Sequence, residues 1–181
     1  PYDAEISIPP EPLRIAPGSS GSATPTITAT GRSAANWTLV VDSTNLPENW
    51  TVVDETAGGL SNISIESGSS WSPSLRVSIP ASALGDEAGY LTLTLSLDKQ
   101  ENISISSLYP VEVLRTRGLS VLGPDGTGAS HGLGLPGHDA VAWILIENLG
   151  NAADSTTTLS WDSNSWGTSP SLRDMDGNEH Y

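Results

Sequence analysis

The chain is 181 residues long and carries 21 acidic against 7 basic side chains, a formal charge of −14, with no cysteine and no phenylalanine. A polyanion of this kind is repelled by phosphate backbones and anionic headgroups, which argues against nucleic acid and acidic membranes as partners. Zero Cys removes disulfide frameworks, thiolate zinc sites and thiol nucleophiles together, while leaving the compartment open.

With 27 Ser, 16 Thr, 18 Gly and 13 Pro, strong helix formers are scarce. The apolar residues fall in short clusters of Val, Ile, Leu and Trp bounded by turn formers, an all-β composition. In chain order the expected strands are Ala4–Ile8, Ala23–Ala29, Trp37–Val41, Trp50–Val53, Ile63–Ile65, Leu75–Ile79, Tyr90–Leu97 and Val111–Leu114. The clearest is Tyr90–Leu97, where Leu91, Leu93, Leu95 and Leu97 share one face and Tyr90, Thr92, Thr94 and Ser96 the other. Turn chemistry at Pro17-Gly18, Gly31, Asn45-Leu46-Pro47, Gly58-Gly59 and Gly85-Asp86 separates these strands, a spacing that fits a two-sheet sandwich. No apolar run approaches the roughly 18 residues of a membrane span, so no membrane insertion is expected of this segment. The first residues show neither an initiator Met nor a signal peptide and read as the start of a mature or excised piece.

A second copy of the pattern then begins. Pro17-Gly18 recurs as Pro136-Gly137, Ile27 as Ile146, Gly31 as Gly150 and Ala34 as Ala153, all at one offset of 119, and self-similarity at a fixed period marks an array of like modules. The expected architecture is a pair of tandem antiparallel β-sandwiches, residues 1–116 and residues 117–181, the second incomplete. Half a sandwich cannot close its core, so its missing strands are expected from further chain or from another chain.

The segments Ile15-Ala-Pro-Gly18, Thr26-Ile-Thr-Ala-Thr-Gly31, Trp37-Thr-Leu-Val-Val41, Leu46-Pro-Glu-Asn-Trp50, Ser74-Leu-Arg-Val-Ser-Ile-Pro80 and Gly89-Tyr-Leu-Thr-Leu93 resemble the NPCBM-associated, alpha-galactosidase-type immunoglobulin-like β-sandwich module. More loosely, and with Ile146–Ala153 of the second copy, they resemble the CARDB and immunoglobulin-like tandem modules of archaeal and bacterial surface proteins. These are framework motifs. The resemblance implies an exported, non-catalytic module that serves as a spacer, an adhesive element or an accessory unit.

Candidate chemistry is sparse. Gly128-Ala-Ser130-His-Gly132 fits the nucleophile-elbow pattern, but no strand precedes it and no helix follows. Gly132-x-Gly134-x-x-Gly137 fits a dinucleotide fingerprint, but Pro136 removes an N–H and the continuation reads as a strand. Asp125, His131, His138 and Asp139 could gather round a transition metal, although all lie in or beside the same Gly-rich loop. Asp174, Asp176 and Asn178 place oxygen ligands at alternate positions around a glycine, a loop for Ca²⁺ or simply a solvated acidic turn. No other cofactor is expected, and no catalytic residue.

Four Asn-x-Ser/Thr sequons, at Asn36, Asn49, Asn62 and Asn102, are candidate glycosylation sites. Of the six Trp, Trp37, Trp143 and Trp161 fall in expected strands and read as core. Trp50, Trp71 and Trp166 lie at strand ends or in loops, where an exposed ring could stack on carbohydrate. The expectation is therefore a structural or adhesive glycoprotein module, extracellular or on the cell surface, whose partners are copies of itself, other surface proteins or glycans. The alternative is an accessory or carbohydrate-binding domain of a secreted hydrolase.

Overall fold

A computed structural model of the protein describes residues 2–98, 100–123, 125–128, 135, 137–138 and 143–153, with backbone alone at 101–102, 172–173 and 179–180. Its strands are β1 (Ala4–Ser7), β2 (Leu13–Ile15), β3 (Ser20–Ala23), β4 (Thr26–Ala29), β5 (Ala35–Asp42), β6 (Thr51–Asp54), β7 (Ile63–Ile65), β8 (Ser70–Trp71), β9 (Leu75–Ser78), β10 (Ala88–Leu97), β11 (Gln100–Val113), β12 (Leu119–Leu122), β13 (Leu145–Asn148), β14 (Leu172–Arg173) and β15 (Glu179–His180). The protein is all-β. No helix among the described residues is long and apolar enough to cross a membrane.

One layer is a five-stranded sheet in the order β2-β11-β10-β5-β7. The facing layer consists of two three-stranded pieces, β1-β4-β8 and β3-β9-β6. These pieces are halves of one surface, because β3 runs into β4 across Thr24-Pro25 and β8 into β9 across Ser72-Pro73-Ser74. Proline has no N–H to give the ladder, so each strand breaks where its proline stands. Pro25 and Pro73 are themselves fully buried. The single strand expected over Ala23–Ala29 is thus divided in two, for that reason.

The core joins the layers. Leu91, Leu93 and Leu95 of β10 are fully buried and Leu97 nearly so, and they share one cluster with Trp37, Leu39 and Val111 of their own sheet and with Ile27, Leu75 and Val77 of the other. On the opposite face Thr94 Oγ1 lies 2.9 Å from Ser106 Oγ, a cross-strand hydroxyl pair. The alternation of β10 therefore behaves as its residues dictate, with one apolar face inward and one polar face outward.

Three features depart from the expected elements. β2, three residues set between prolines, pairs in parallel with Val111–Val113 of β11. β11 itself is 14 residues long, whereas only Val111–Leu114 is expected from the sequence. Its Pro110 is tolerated because, among the described residues, nothing pairs with the outer edge of β11 from Gln100 to Pro110, so no outward N–H is demanded there. Finally, Trp143 precedes β13 and is 56% exposed, not a core residue inside a strand as its surroundings suggest.

β5 ends in a tight turn in which the Thr44 N–H donates to Asp42 Oδ1 at 2.9 Å. The backbone N–H of Thr44, and then its hydroxyl, favour the charged carboxylate and hold Asp42 below the ordinary value. A folded-state value below the unfolded one means that this turn's contribution is present above the unfolded midpoint, about 3.9, and is lost as pH falls through the lower folded value. Carboxyl NMR titration is expected to place Asp42 below that midpoint, and Thr44→Val to return it part of the way.

The second pair of strands repeats the first. β1 pairs with β4 antiparallel, Ala4 opposite Ala29 through Ser7 opposite Thr26. β12 pairs with β13 in the same sense, Leu119 opposite Asn148 through Leu122 opposite Leu145. The connection between partners is residues 8–25 in one case and residues 123–144, four longer, in the other. The hydrogen bond that closes the end of each pair also recurs: Thr30 N to Asp3 O at 3.0 Å, and Leu149 N to Gly118 O at 2.9 Å. Gly18 and Gly137, the two glycines of the repeated Pro-Gly turn, both adopt left-handed backbone, with φ of 72° and 84°.

Candidate functional site

Pairing of β5 with β7 sets Asn36 opposite Ser64 and Trp37 opposite Ile63. Strand alternation then turns the Trp37 ring into the core, 2% exposed, and Asn36 out to solvent. Asn62, just before β7, has φ of 56°, a left-handed conformation that Asn accepts more readily than most residues. There its Oδ1 receives a hydrogen bond from Asn36 Nδ2 at 2.9 Å. Thr38, the hydroxyl residue of the first sequon, donates to Asp98 Oδ1 at 2.7 Å and accepts from the Asn62 N–H at 3.3 Å.

Two sequons 26 residues apart are thus joined into one polar cluster. Asn102 belongs to the same end of the sheet, since the neighbouring Gln100 pairs with Leu97, which in turn pairs with Trp37. Its side chain lies outside the described residues. Asn49 stands elsewhere, exposed in a left-handed turn (φ 67°) after the Asn45-Leu46-Pro47 segment that abuts Gly89 at the opposite end of β10.

The tryptophans divide differently. Trp50 is 8% exposed and part of the core, so its ring offers no stacking face; neither its Nε1 nor that of Trp37 has a hydrogen-bond partner. This corrects the reading of Trp50 as an exposed strand-end aromatic: its backbone leaves the Leu46-Pro47 turn and the side chain turns inward. Trp71 is half-buried, paired with Ile27 across β8 and β4 and packed against the core. Trp166 lies outside the described residues. So do Asp174, Asp176 and Asn178, the candidate Ca²⁺ ligands, as well as Ser130, His131 and Asp139. Among the described residues no group of three or more His, Asp or Glu could hold a metal ion.

Two of the cavities among the described residues accompany the sandwich. One, of about 530 Å³, is lined by Arg115, Arg117, Leu119, Ile146 and Asn148 where the sandwich meets the second strand pair. The other, of about 250 Å³, opens between the layers against Val41, Val52, Leu60 and Leu75, with Ser43 and Asp54. The described lining of the first supplies cations without a carboxylate or imidazole, and that of the second a single carboxylate. Neither set assembles a nucleophile with a base and an oxyanion donor.

No family model and no curated protein matches the chain. Solved structures do match. The chain is similar to the secreted serine protease VesC from Vibrio cholerae (12% identity, TM-score 0.43) over 62% of its own length and 22% of that chain. It is similar to a family 123 glycoside hydrolase from Clostridium perfringens (14%, 0.43) over 62% and 27%. It is also similar to a PapD-like domain of human CEP192 (13%, 0.39) over 61% and 83%. The chain therefore spans about a quarter of either enzyme. At these identities and TM-scores the matches assign no family to the chain.

Proposed function

We propose that the chain is a non-catalytic structural or adhesive part of a secreted or cell-surface repeat protein, organised as tandem immunoglobulin-like modules and meeting its partners through sheet edges and loops. The observation that carries this reading is the doubled strand pairing, β1 with β4 and β12 with β13, in a molecule whose two described cavities bring together no nucleophile, base and oxyanion donor. Arrayed modules of this kind act through spacing and surface. The sequon cluster supports an outer-surface location, with Asn36 and Asn62 both exposed.

The test is direct. The purified chain is expected to turn over none of a panel of chromogenic esters, peptides and glycosides, and measurable hydrolysis that survives repurification would overturn the reading. Sedimentation velocity at raised salt is expected to show concentration-dependent association that Ser106→Lys, a charge set into the stretch of β11 left unpaired among the described residues, abolishes. Glycopeptide mass spectrometry of protein from its natural source is expected to find glycan on the Asn36 and Asn62 sequons and to lose it on the first of them in Asn36→Gln.

A further inference from the structure

The sandwich ends at Val113, and residues 114–118 lead into β12. A connector of this length would ordinarily let two units swing. Here it is clamped by one side chain from beyond it. Asn151, in the turn after β13, uses all four of its polar atoms on the connector and on the sandwich loop before β10. Its Nδ2 donates to Leu114 O at 2.9 Å and its Oδ1 accepts from Thr116 N at 2.8 Å. Its own N–H donates to Thr116 O at 3.3 Å, and its carbonyl accepts from Gly85 N, in the loop before β10, at 2.7 Å. Beside it, Arg115 Nη2 donates to Ala153 O at 2.7 Å.

The contact is fitted on both sides. A Cβ on Gly85 would lie 2.5 Å from Asn151 Oδ1, and one on Gly150 would lie 2.6 Å from Thr116 O, so both faces need glycine at the point of closest approach. The turn is held in shape from within by Asn148, whose Oδ1 accepts from Gly150 N and whose Nδ2 donates to Ala152 O, each at 2.8 Å. At the offset of 119 the first copy carries Arg32 where Asn151 stands, an exposed residue, so the clamp belongs to this junction and not to the repeat as such.

We infer that Asn151 and Gly85 form an inter-module lock that holds the β12–β13 unit at one fixed angle to the sandwich, making the two a stiff rod. The inference rests on the tandem reading above in treating residues from 117 onward as a unit of their own. A primary amide suits the task because it donates to one carbonyl and accepts from one N–H at once, which neither a carboxylate nor an aliphatic side chain can do.

The chain has no cysteine, so two introduced thiols are the only labelling sites. With spin labels at Glu66→Cys and Glu147→Cys, both exposed positions, pulsed dipolar spectroscopy of the full chain is expected to give one narrow distance distribution. Asn151→Ala is expected to widen it at least twofold, Asn151→Asp to do the same by removing the donor, and Gly85→Ala to shift or widen it. Urea unfolding of each variant shows whether the sandwich is intact. Should Asn151→Ala fail to fold, Gly85→Ala decides. A broad distribution in the parent chain, or widths unchanged in both Asn151→Ala and Gly85→Ala, would overturn the lock. Either result leaves the structural role standing, since that role falls only to intrinsic catalysis.

Discussion

Leu93→Ala is expected to be among the most damaging single substitutions in the protein. Leu93 is fully buried at the centre of β10, with Val41 of β5 on one side and Ser107 of β11 on the other. Truncation removes its transfer free energy and leaves a cavity between two sheets that cannot close over it, a loss of about 2–5 kcal/mol. Domains of this size have only about 5–15 kcal/mol in total. Urea denaturation followed by tryptophan fluorescence checks it: the midpoint should fall with little change in slope. The neighbouring Thr94→Ala, which loses only the 2.9 Å hydroxyl contact to Ser106 on the outer face, should cost less than about 1 kcal/mol. Equal effects from the two would mean that the face assignment of β10 is wrong.

Gly89→Ala is expected to rank close behind, by the opposite mechanism. A Cβ at that position would sit 2.7 Å from Asn45 O, 2.9 Å from Pro47 Cδ and 3.0 Å from Leu46 Cα. Two of those three atoms are backbone and the third belongs to a proline ring, so no rotamer change relieves the contact. The Asn45–Pro47 loop must move away from the start of β10, and overpacking of this kind costs about 1–3 kcal/mol. The same displacement carries Trp50 with it, since Trp50 N donates to Pro47 O at 3.3 Å. A blue or red shift in its emission, alongside the lowered midpoint, is the expected signature; a midpoint unchanged within a few tenths of a kcal/mol would show that the loop yields freely.

What could be read from the sequence followed the strength of local alternation. β10 was legible because four leucines at alternate positions admit one reading. β11 was hidden because Ser107 interrupts its inward face, Leu108 stands on its outward one, and it contains Pro110, which looks like a strand terminator until no described strand is seen to pair with that edge. β2 was hidden because three residues among prolines acquire their pairing from a strand about a hundred residues away. Burial of Trp50 escaped for a related reason: a residue at a strand end is exposed or buried according to which loop packs behind it, and local sequence does not say. The sequons were plain one by one, but the contact of Asn36 with Asn62 depends on register between β5 and β7. Gly150 stood out through the repeat. Asn151 did not, because its partners at Gly85, Leu114 and Thr116 become neighbours only when the connector folds back.

The edge of β11 that no described strand pairs with has a consequence in ionic strength. From Ile103 to Tyr109 it contains no charged residue, in a chain whose net charge is −14. Nothing within that stretch guards it; the mutual repulsion of whole molecules does so from a distance. Such repulsion fades beyond a Debye length of about 10 Å at 0.1 M salt and about 3 Å at 1 M. Copies of this protein should therefore stay apart in dilute buffer and pair along β11 as salt is added, the reverse of an association driven by ion pairs.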